Sequence, residues 1–263
     1  EEAMASFSEY AAIHDVSAGL WSQNNTPKAS PDTTFIQTDT TDPKVLKNDA
    51  LILRNNLKRK RPLIFSNTGI AGSQNRTMLA FGDIGGNWEN IPTQVAGFLG
   101  ASLSGQPLVG SAVDGTAGGG NAQIAIRDFE WKAFTPILFN LDDQGKFSKT
   151  PFAYNSKMTQ INRAYLKLRE QLQTYLYTLI YRAQVGEPIL RPLFLEFPHE
   201  QVNYTPQVGH EFMLGPNLLI SPIVNGREDG NGNSRKDNLY LPNHRTMWVD
   251  LFDGKKYLGG RVY

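Results

Sequence analysis

Acidic side chains recur in this sequence just after short apolar segments that are typical of β-strands. They are Asp39, Asp83, Asp114 and the adjacent pair Asp142 and Asp143. The carboxyl ends of parallel strands meet at one face of a barrel, so we expect these side chains to come together. From the pattern alone, each of them can equally be a helix cap or a turn former.

Two carboxyl groups that face each other can cleave a glycosidic bond. One attacks the anomeric carbon, the other protonates the leaving oxygen, and a separation of about 5–5.5 Å favours retention of configuration. Patterns for other chemistry are missing from the sequence: the four histidines form no H-x-x-H pair, there is no G-x-S-x-G, and the glycines of 115–120 lack the Lys-Ser/Thr of a phosphate-binding loop. We therefore predict no metal and no organic cofactor.

Aromatic residues lie near the same strand ends. Trp21 and Phe81 each end a predicted strand, and Trp88 follows one. Their rings offer flat apolar faces on which the C–H groups of a sugar can stack. Trp131 falls within a predicted helix, where packing in the core is the better interpretation.

The first 140 residues alternate short apolar strands with helices. The order of strand, polar residues and helix is typical of parallel βα units. Five or six such units predict a barrel or a doubly wound sheet, and the missing G-x-G-x-x-G argues against a dinucleotide-binding fold. The predicted strands are 17–21, 34–37, 62–65, 78–81, 107–109 and 136–139, and the predicted helices are 1–13, 42–53, 90–103 and 124–134.

The pattern changes after residue 140. Residues 155–185 have apolar side chains at helical spacing, which predicts one long amphipathic helix. The remainder predicts a small antiparallel β domain, because short apolar runs alternate with Gly, Pro and Asn turns. These runs are 189–196, 212–214, 218–224, 238–241 and 246–251.

Composition excludes several classes of function. Apolar residues make up 40% of the 263 residues and charged residues 19%, the balance of a globular protein. The net charge of +1 provides no basic field for nucleic acid or an anionic membrane. No apolar run reaches the roughly 20 residues of a membrane span. Without cysteine, disulfides and thiolate metal sites are excluded.

Several segments of the chain, in their order, resemble glycoside hydrolase family 31. They are RPLIFSNTGIAGSQNRTMLAFGDIGGNWENI, LSGQPLVGSAVDG, RDFEWKAFTPILFN, FMLGPNLLISPI and MWVDLFDGKKYLGG. The resemblance implies an α/β fold, a (β/α)8 TIM barrel represented by roughly strands 3–8, followed by an antiparallel β-sandwich. We place the barrel and its closing helix in 1–205 and the start of the sandwich in 206–263. It also implies a retaining double displacement at α-glycosidic bonds.

The same resemblance implies roles for individual residues. Asp83, in FGDIGGNW, matches the acid/base aspartate of the family, and Asp39 is the candidate nucleophile because it is the strand-end aspartate in the right order. No Met-Asn-Glu follows Asp39 as in the usual pattern; Asp42 is the runner-up, although it suits a helix N-cap better. Candidate substrate-binding residues are Trp21, Gln23, Asn67, Arg76, Phe81, Trp88, Asp114 and Asn140.

Three departures from the family pattern bear on the sugar. Family α-glucosidases carry Arg in place of Asn67, Asp in place of Ala112 and His in place of Leu141, and those residues hold glucose hydroxyls. Loss of the Arg makes room near the 2-position of a sugar. The chain is more similar to the bacterial branch with α-N-acetylgalactosaminidases, so we expect a terminal α-N-acetylgalactosaminide as substrate.

Other readings of the resemblance stay open. The alternatives are an α-glucosidase or α-glucan transglycosylase of the same family, and a catalytically inactive barrel that binds carbohydrate. Half a barrel exposes a sheet edge. We therefore expect a carbohydrate substrate and the remaining N-terminal part of the enzyme, in the same or another chain, as partners, and neither nucleic acid nor a membrane.

Overall fold

The computed structural model describes most of the chain after residue 62 and short stretches before it. The described residues are 18–21, 33–38, 42, 44, 46–47, 51, 63–81, 85–116, 119–141, 147–228, 234, 236 and 238–263, with the backbone alone for 18–21, 33–38 and 63. The chain divides into two compact units, Glu1–Ala80 and Phe81–Tyr263.

The described part of the first unit contains four parallel strands in chain order. They are β1 (Ala18–Trp21), β2 (Thr33–Thr38), β3 (Leu63–Ser66) and β4 (Met78–Ala80). Each strand pairs in parallel with the next one in the sequence, as successive βα units require. Ser66 ends β3 with a local turn, because its hydroxyl accepts the N–H of Thr68 at 3.2 Å and donates to the carbonyl of Thr68 at 2.9 Å.

Two predicted helices of this unit are described only in part or not at all. The helix predicted at 1–13 lies outside the described residues. In the one predicted at 42–53, Lys44, Leu46, Lys47 and Leu51 are helical. The carboxylate of Asp42 accepts the N–H of Lys44 at 2.8 Å, the contact expected of an N-cap. This contact supports the interpretation of Asp42 as a cap.

The second unit begins with two helices that bury an apolar face. They are α1 (Asn90–Leu103) and α2 (Ala122–Lys132). Ile91, Val95 and Phe98 recur along one side of α1 and are all buried. Asn121 caps α2, because its side-chain oxygen accepts the N–H groups of Gln123 and Ile124. Both helices lie where the sequence predicts them, within two residues.

Parallel pairing continues in this unit. The N–H of Phe81 donates to the carbonyl of Gly110 in β5 (Val109–Gly110) at 2.7 Å. Beyond β5, Ala112 pairs in parallel with Phe139. The strand predicted at 136–139 is therefore reduced to a single bridge. Within the predicted strand, side chains bind two carbonyls: the guanidinium of Arg169 donates to Pro136 at 3.1 Å, and the hydroxyl of Thr135 donates to Ile137 at 2.8 Å.

The long helix predicted at 155–185 is two helices. They are α3 (Ser156–Gln171) and α4 (Gln173–Ala183), with Leu172 between them at ψ −1°. Backbone hydrogen bonds cross this interruption, because Leu172 donates to Leu168 and accepts from Leu176. The helical region lies where it is predicted, within two residues, but it is interrupted at Leu172.

Short antiparallel strands follow. They are β6 (Leu190–Pro192), β7 (Phe212–Leu214), β8 (Leu218–Ile220), β9 (Tyr240–Leu241), β10 (Met247–Val249), β11 (Lys256–Leu258) and β12 (Arg261–Val262). They form sheets in the order β6–β7–β8, β10–β11 and β12–β9. β6, before the boundary predicted at residue 206, pairs with β7, which lies after it. The boundary itself stays a prediction.

The strand predicted at 189–196 is wrong in its second half. After β6 the chain turns into a one-turn helix, α5 (Leu193–Glu196). Pro192 precedes it with φ −62°, an angle that suits a helix start, and proline provides no N–H to extend a ladder.

An aromatic row links the helices to the β domain. The ring of Trp131 lies 5.1 Å from Phe98 and 6.5 Å from Phe212, both measured between ring centroids. All three side chains are fully buried. The interpretation of Trp131 as a core residue agrees with this packing.

Within the described ranges, no helix is both long and apolar enough to cross a membrane.

Candidate active site

Asp114 lies in the turn after β5 and is 2% exposed. Its Oδ1 accepts the backbone N–H of Gly86 at 2.9 Å. Its own N–H donates to Oδ2 of Asp128 at 2.6 Å. Asp114 has φ 56°, a left-handed conformation that aspartate tolerates better than most residues. Hydrogen bonds to two separate segments thus fix both the backbone and the carboxylate of Asp114.

Asp128 and Lys132 form a buried ion pair on one face of α2. Nζ of Lys132 lies 2.5 Å from Oδ2 of Asp128 and donates to the carbonyl of Ala112 at 2.8 Å. Nε1 of Trp131 donates to the other oxygen of Asp128 at 2.9 Å. Burial lowers the pKa of Lys132, an effect that the charge of Asp128 opposes. Lys132 and Asp128 are therefore each other's close partner in a buried layer beside Ala112.

Lys149 brings a second cation to the other side of Asp114. Its Nζ lies 3.2 Å from the carbonyl oxygen of Asp114 and 3.5 Å from Oδ2. Burial raises the pKa of Asp114, whereas Lys149 and the hydrogen bond from Gly86 act to lower it. Asp114 therefore belongs to a row of charges that runs from Lys149 through Asp128 to Lys132.

A cavity lies next to this row. Asp114, Asn140 and Lys149 line it together with Tyr154 and Asn162. The amide of Asn140 donates to the carbonyl of Lys149, and the hydroxyl of Tyr154 accepts the N–H of Gly120 at 2.8 Å. The remaining lining is Val113, Ala125, Phe129, Thr150, Pro151 and Met158. Two of the predicted substrate-binding residues, Asp114 and Asn140, thus meet at one cavity.

The glycine-rich segment before α1 packs directly on Asp114. A methyl group on Gly85 would lie 2.0 Å from the carbonyl oxygen of Asp114, so only glycine fits there. The amide of Asn90 donates to the carbonyl of Gly85 at 2.7 Å. Trp88, three residues after Gly85, is half-buried and lies against Gly226 of the β domain. The segment is therefore held at several residues.

Both candidate catalytic residues lie outside the described residues. Asp39 and Asp83 are not described, nor is Gln23, and of Trp21 the structure describes the backbone, at the carboxyl end of β1. The separation of the two carboxyl groups stays a prediction.

The other candidate binding residues differ in their surroundings. Asn67 follows β3 directly and is exposed. Arg76 is exposed, and its guanidinium donates to Oδ1 of Asn75 at 2.9 Å. Phe81 packs edge-on against Phe98 at 5.6 Å between centroids and covers Gly97, so it contributes to the core beside α1.

Sequence reasoning missed Lys149, Tyr154, Asp128 and Lys132. The spacing of Asp128 and Lys132, four residues apart on a helix, is a signal for an ion pair, but not for a buried one. Lys149 comes 35 residues after Asp114, and no local pattern connects them. Among the described residues, no group of three His, Asp or Glu is arranged to hold a metal ion.

Comparison with protein families gives two matches that together span most of the chain. The family model described as the glycosyl hydrolases family 31 TIM-barrel domain matches residues 8–179. The one described as the family 31 C-terminal domain matches residues 186–263. The predicted fold class, a TIM barrel followed by a β domain, is confirmed.

Relatives agree with these matches. Alpha-glucosidase 2 of Bacillus thermoamyloliquefaciens is 31% identical over 208 residues, 79% of this chain and 25% of that protein. The alpha-xylosidase of Saccharolobus solfataricus is 29% identical over 214 residues, 78% of this chain and 28% of that protein. The chain thus spans about a quarter of the length of these relatives.

A solved structure shares the fold over the whole chain. The Flavobacterium johnsoniae family 31 dextranase, complexed with glucose, superimposes with a TM-score of 0.75 at 22% sequence identity. The match covers 100% of this chain and 34% of the dextranase chain. From the family matches and this likeness of fold together, we conclude that the chain belongs to glycosyl hydrolase family 31.

Proposed function

We propose that the protein is a retaining, exo-acting α-glycoside hydrolase that removes terminal α-linked sugars. The observation that carries this proposal is the match of residues 8–179 to the barrel domain of family 31. The relatives named above are an α-glucosidase and an α-xylosidase, which are both α-glycosidases. The substrate is a carbohydrate, and the proposed reaction requires no metal or organic cofactor.

In the proposed reaction two aspartates have complementary roles. Asp39 attacks the anomeric carbon and forms a covalent glycosyl-enzyme, while Asp83 donates its proton to the leaving oxygen. Asp83 then removes a proton from water, which attacks the same carbon and releases the sugar. Several further side chains are proposed to contact the sugar. These are Trp21, Gln23, Asn67, Arg76, Phe81, Trp88, Asp114 and Asn140.

The identity of the sugar is the finer part of the proposal. We propose a terminal α-N-acetylgalactosaminide, because Asn67 is exposed and shorter than Arg, and an acetamido group at C2 needs space. Ala112 is 3% exposed and forms a single bridge with Phe139, and its methyl side chain presents no polar group to a sugar hydroxyl.

An α-glucoside is the second candidate, in hydrolysis or in transfer to another glucan. The named relatives favour it, since Alpha-glucosidase 2 is 31% identical to the chain. The α-N-acetylgalactosaminide is supported by the sequence departures and by the exposure of Asn67, and by none of the named relatives.

A panel of aryl α-glycosides tests both the proposed reaction and the proposed sugar. The protein is produced with any flanking sequence that its gene encodes, and phenol release is measured from p-nitrophenyl α-N-acetylgalactosaminide, α-glucoside and α-xyloside. We expect turnover of at least one substrate and the fastest turnover of the first. If the α-glucoside is turned over fastest, the proposed sugar is wrong and glucose takes its place, whereas the proposed reaction still holds. Glycan binding without turnover of any α-glycoside would contradict the reaction and favour a binding barrel.

A further inference from the structure

We propose that Asp114 is a positioning residue for the acid/base catalyst: its carboxylate fixes the Gly85–Gly86 segment that follows Asp83. This inference rests on the proposed function of Asp83 as acid/base. Asp83 precedes Gly85 by two residues. We expect restraint of Gly85 and Gly86 to affect how the proposed catalyst, two residues earlier in the sequence, is presented to the substrate.

The first support is the hydrogen bond between Asp114 and Gly86. The N–H of Gly86 donates to Oδ1 of Asp114 at 2.9 Å, across 28 residues of sequence. Gly86 has φ 81°, a backbone conformation that a side chain would strain. In this conformation the N–H of Gly86 is directed at Asp114, and a charged acceptor holds it more strongly than a neutral one.

The second support is close packing at Gly85. This residue lies so near the Asp114–Gly115 peptide that a methyl group on it would be 2.3 Å from the nitrogen of Gly115. Its carbonyl accepts from the amide of Asn90, the first residue of α1, at 2.7 Å. The Gly85–Gly86 segment is thus held both by α1 and by Asp114.

The third support is that Asp114 is itself restrained. It is 2% exposed, its N–H is bound by Asp128, and Nζ of Lys149 contacts both its carbonyl and its carboxylate. Asp128 is in turn paired with Lys132 inside α2. The restraint on the Gly85–Gly86 segment therefore comes from the helical framework of the barrel.

This arrangement has a chemical consequence that can be measured. A general acid accelerates bond cleavage only when its proton is aligned with the leaving oxygen. Phenols of low pKa leave without protonation, whereas phenols of high pKa need it. A displaced acid catalyst therefore slows the hydrolysis of substrates with poor leaving groups and has little effect on substrates with good ones. Damage to sugar binding would slow both alike.

The test compares Asp114→Ala with Asp114→Asn on two substrates. The substrates are the unsubstituted phenyl and the 2,4-dinitrophenyl α-glycosides of the sugar that the panel identifies. kcat/KM is measured because it reports the step that forms the glycosyl-enzyme. Asp114→Ala is expected to lower kcat/KM roughly 100-fold on the phenyl glycoside, the low end of what a general acid contributes. The loss on the dinitrophenyl glycoside is expected to be roughly 10-fold smaller, because that leaving group needs no proton and only the proposed contact of Asp114 with the sugar is lost.

Asp114→Asn is the conservative control. Its amide oxygen can still accept from Gly86, so the ratio between the two substrates should stay within about 5-fold of the wild-type ratio. Ser111→Ala is the matched structural control. It removes a buried 2.6 Å hydrogen bond to Gln94 near the same strand end. The ratio should not change in this variant.

Asp83→Asn separates the acid/base role from the positioning role. Like Asp114→Ala, it should lower kcat/KM on the phenyl glycoside more than on the dinitrophenyl glycoside, and the difference should be larger. If Asp83→Asn shows no selectivity, the assigned acid/base role is wrong. Suppose that Asp83→Asn lowers kcat/KM mainly on the phenyl glycoside, whereas Asp114→Ala lowers kcat/KM equally on both glycosides. The positioning role of Asp114 is then overturned.

A second variant covers the case in which Asp114→Ala does not fold. Asn90→Ala removes the bond that α1 makes to the carbonyl of Gly85. We expect kcat/KM on the phenyl glycoside to fall roughly 3- to 10-fold more than kcat/KM on the dinitrophenyl glycoside, because one of several restraints is lost. An unchanged ratio in a folded Asn90→Ala protein would contradict the proposal.

Discussion

At the scale of single residues, the buried charges around Asp114 determine how the site is held. Burying an ion pair gains little over an apolar pair of the same shape, but breaking one leaves an uncompensated charge. Lys132 is 0% exposed and Asp128 1% exposed. Both partners lie on α2, and each also bonds to the turn: Lys132 donates to the carbonyl of Ala112 and Asp128 accepts the N–H of Asp114, so the pair ties α2 to that turn.

A stability prediction follows for Lys132→Met. The substitution roughly keeps the volume of the side chain and leaves Asp128 without its cation. We expect a loss of about 3–5 kcal/mol in the free energy of unfolding, measured by chemical denaturation. The double variant Asp128→Asn, Lys132→Met should recover part of this loss, since it removes the uncompensated charge. A loss below about 1 kcal/mol in the single variant would contradict this prediction.

Glu211 of the β domain predicts a pH dependence of stability. It is 2% exposed, and burial raises its pKa to about 7, although Tyr240, Lys236 and Ser221 act to lower it. Oε1 accepts from the N–H of Tyr240 and the hydroxyl of Ser221, whereas Oε2 is buried without a hydrogen-bond partner among the described residues.

The sign of this dependence follows from the two pKa values of Glu211. The unfolded side chain loses its proton near pH 4.5, the folded one near 7. Between these values the folded protein binds more protons, so the free energy of unfolding falls as pH rises from about 4.5 to 7 and stays lower above it. The difference of about 2.5 between the two pKa values corresponds to a loss of roughly 3 kcal/mol in the free energy of unfolding.

Comparison with Glu211→Gln isolates this contribution. The variant keeps an acceptor for Tyr240 and Ser221 and cannot titrate. We expect the melting temperature of the wild type to fall more between about pH 5 and pH 8 than that of the variant. Equal changes in the two proteins would exclude Glu211 as the source.

At the scale of elements, the glycines of the segment before α1 and within it have opposite roles. Gly85 is packed against backbone, whereas Gly100 lies within α1 and has no atom within 4 Å of the position that a methyl group would take. Glycine in a helix interior is less favourable than alanine by about 0.5–1 kcal/mol.

We therefore predict opposite effects for two Gly→Ala substitutions. Gly100→Ala should raise the free energy of unfolding by about 0.5–1 kcal/mol and leave activity unchanged. Gly85→Ala should lower stability by about 1–3 kcal/mol through overpacking and should also lower kcat/KM. Thermal melts and the aryl glycoside assay measure both. Normal activity in Gly85→Ala would contradict the described packing on Asp114.

The helices and strands also show which parts of the fold can be predicted from local sequence patterns. The two helices with clear apolar faces, α1 and α2, were predictable, and Asn121 provided a recognisable cap. The reduction of the strand predicted at 136–139 to one bridge at Phe139 was not predictable, because Arg169 of a distant helix binds the carbonyl of Pro136 within that segment. The same limit applies to the site, where strand-end position indicates Asp114 and Asn140, but Lys149 reaches them only through the fold.

At the scale of the whole molecule, the β domain is joined to the barrel helices through buried contacts. Trp131 of α2 packs on Phe212 of β7, and the hydroxyl of Tyr175 in α4 donates to the carbonyl of Leu214 at 2.8 Å. Closely packed contacts of this kind couple the elements that share them. We therefore expect the β domain and the helices around Asp114 to unfold together.

The central claim for the whole molecule is a double displacement with Asp39 as nucleophile. The most direct measurement uses the 5-fluoro glycosyl fluoride of the sugar identified by the aryl glycoside panel, which forms the glycosyl-enzyme quickly and hydrolyses it slowly. Peptide mapping by mass spectrometry then locates the added sugar. We expect one fluorosugar on the peptide that carries Asp39, lost in Asp39→Asn. A label on any other residue, or none in a protein that hydrolyses the aryl glycoside, would contradict the assignment.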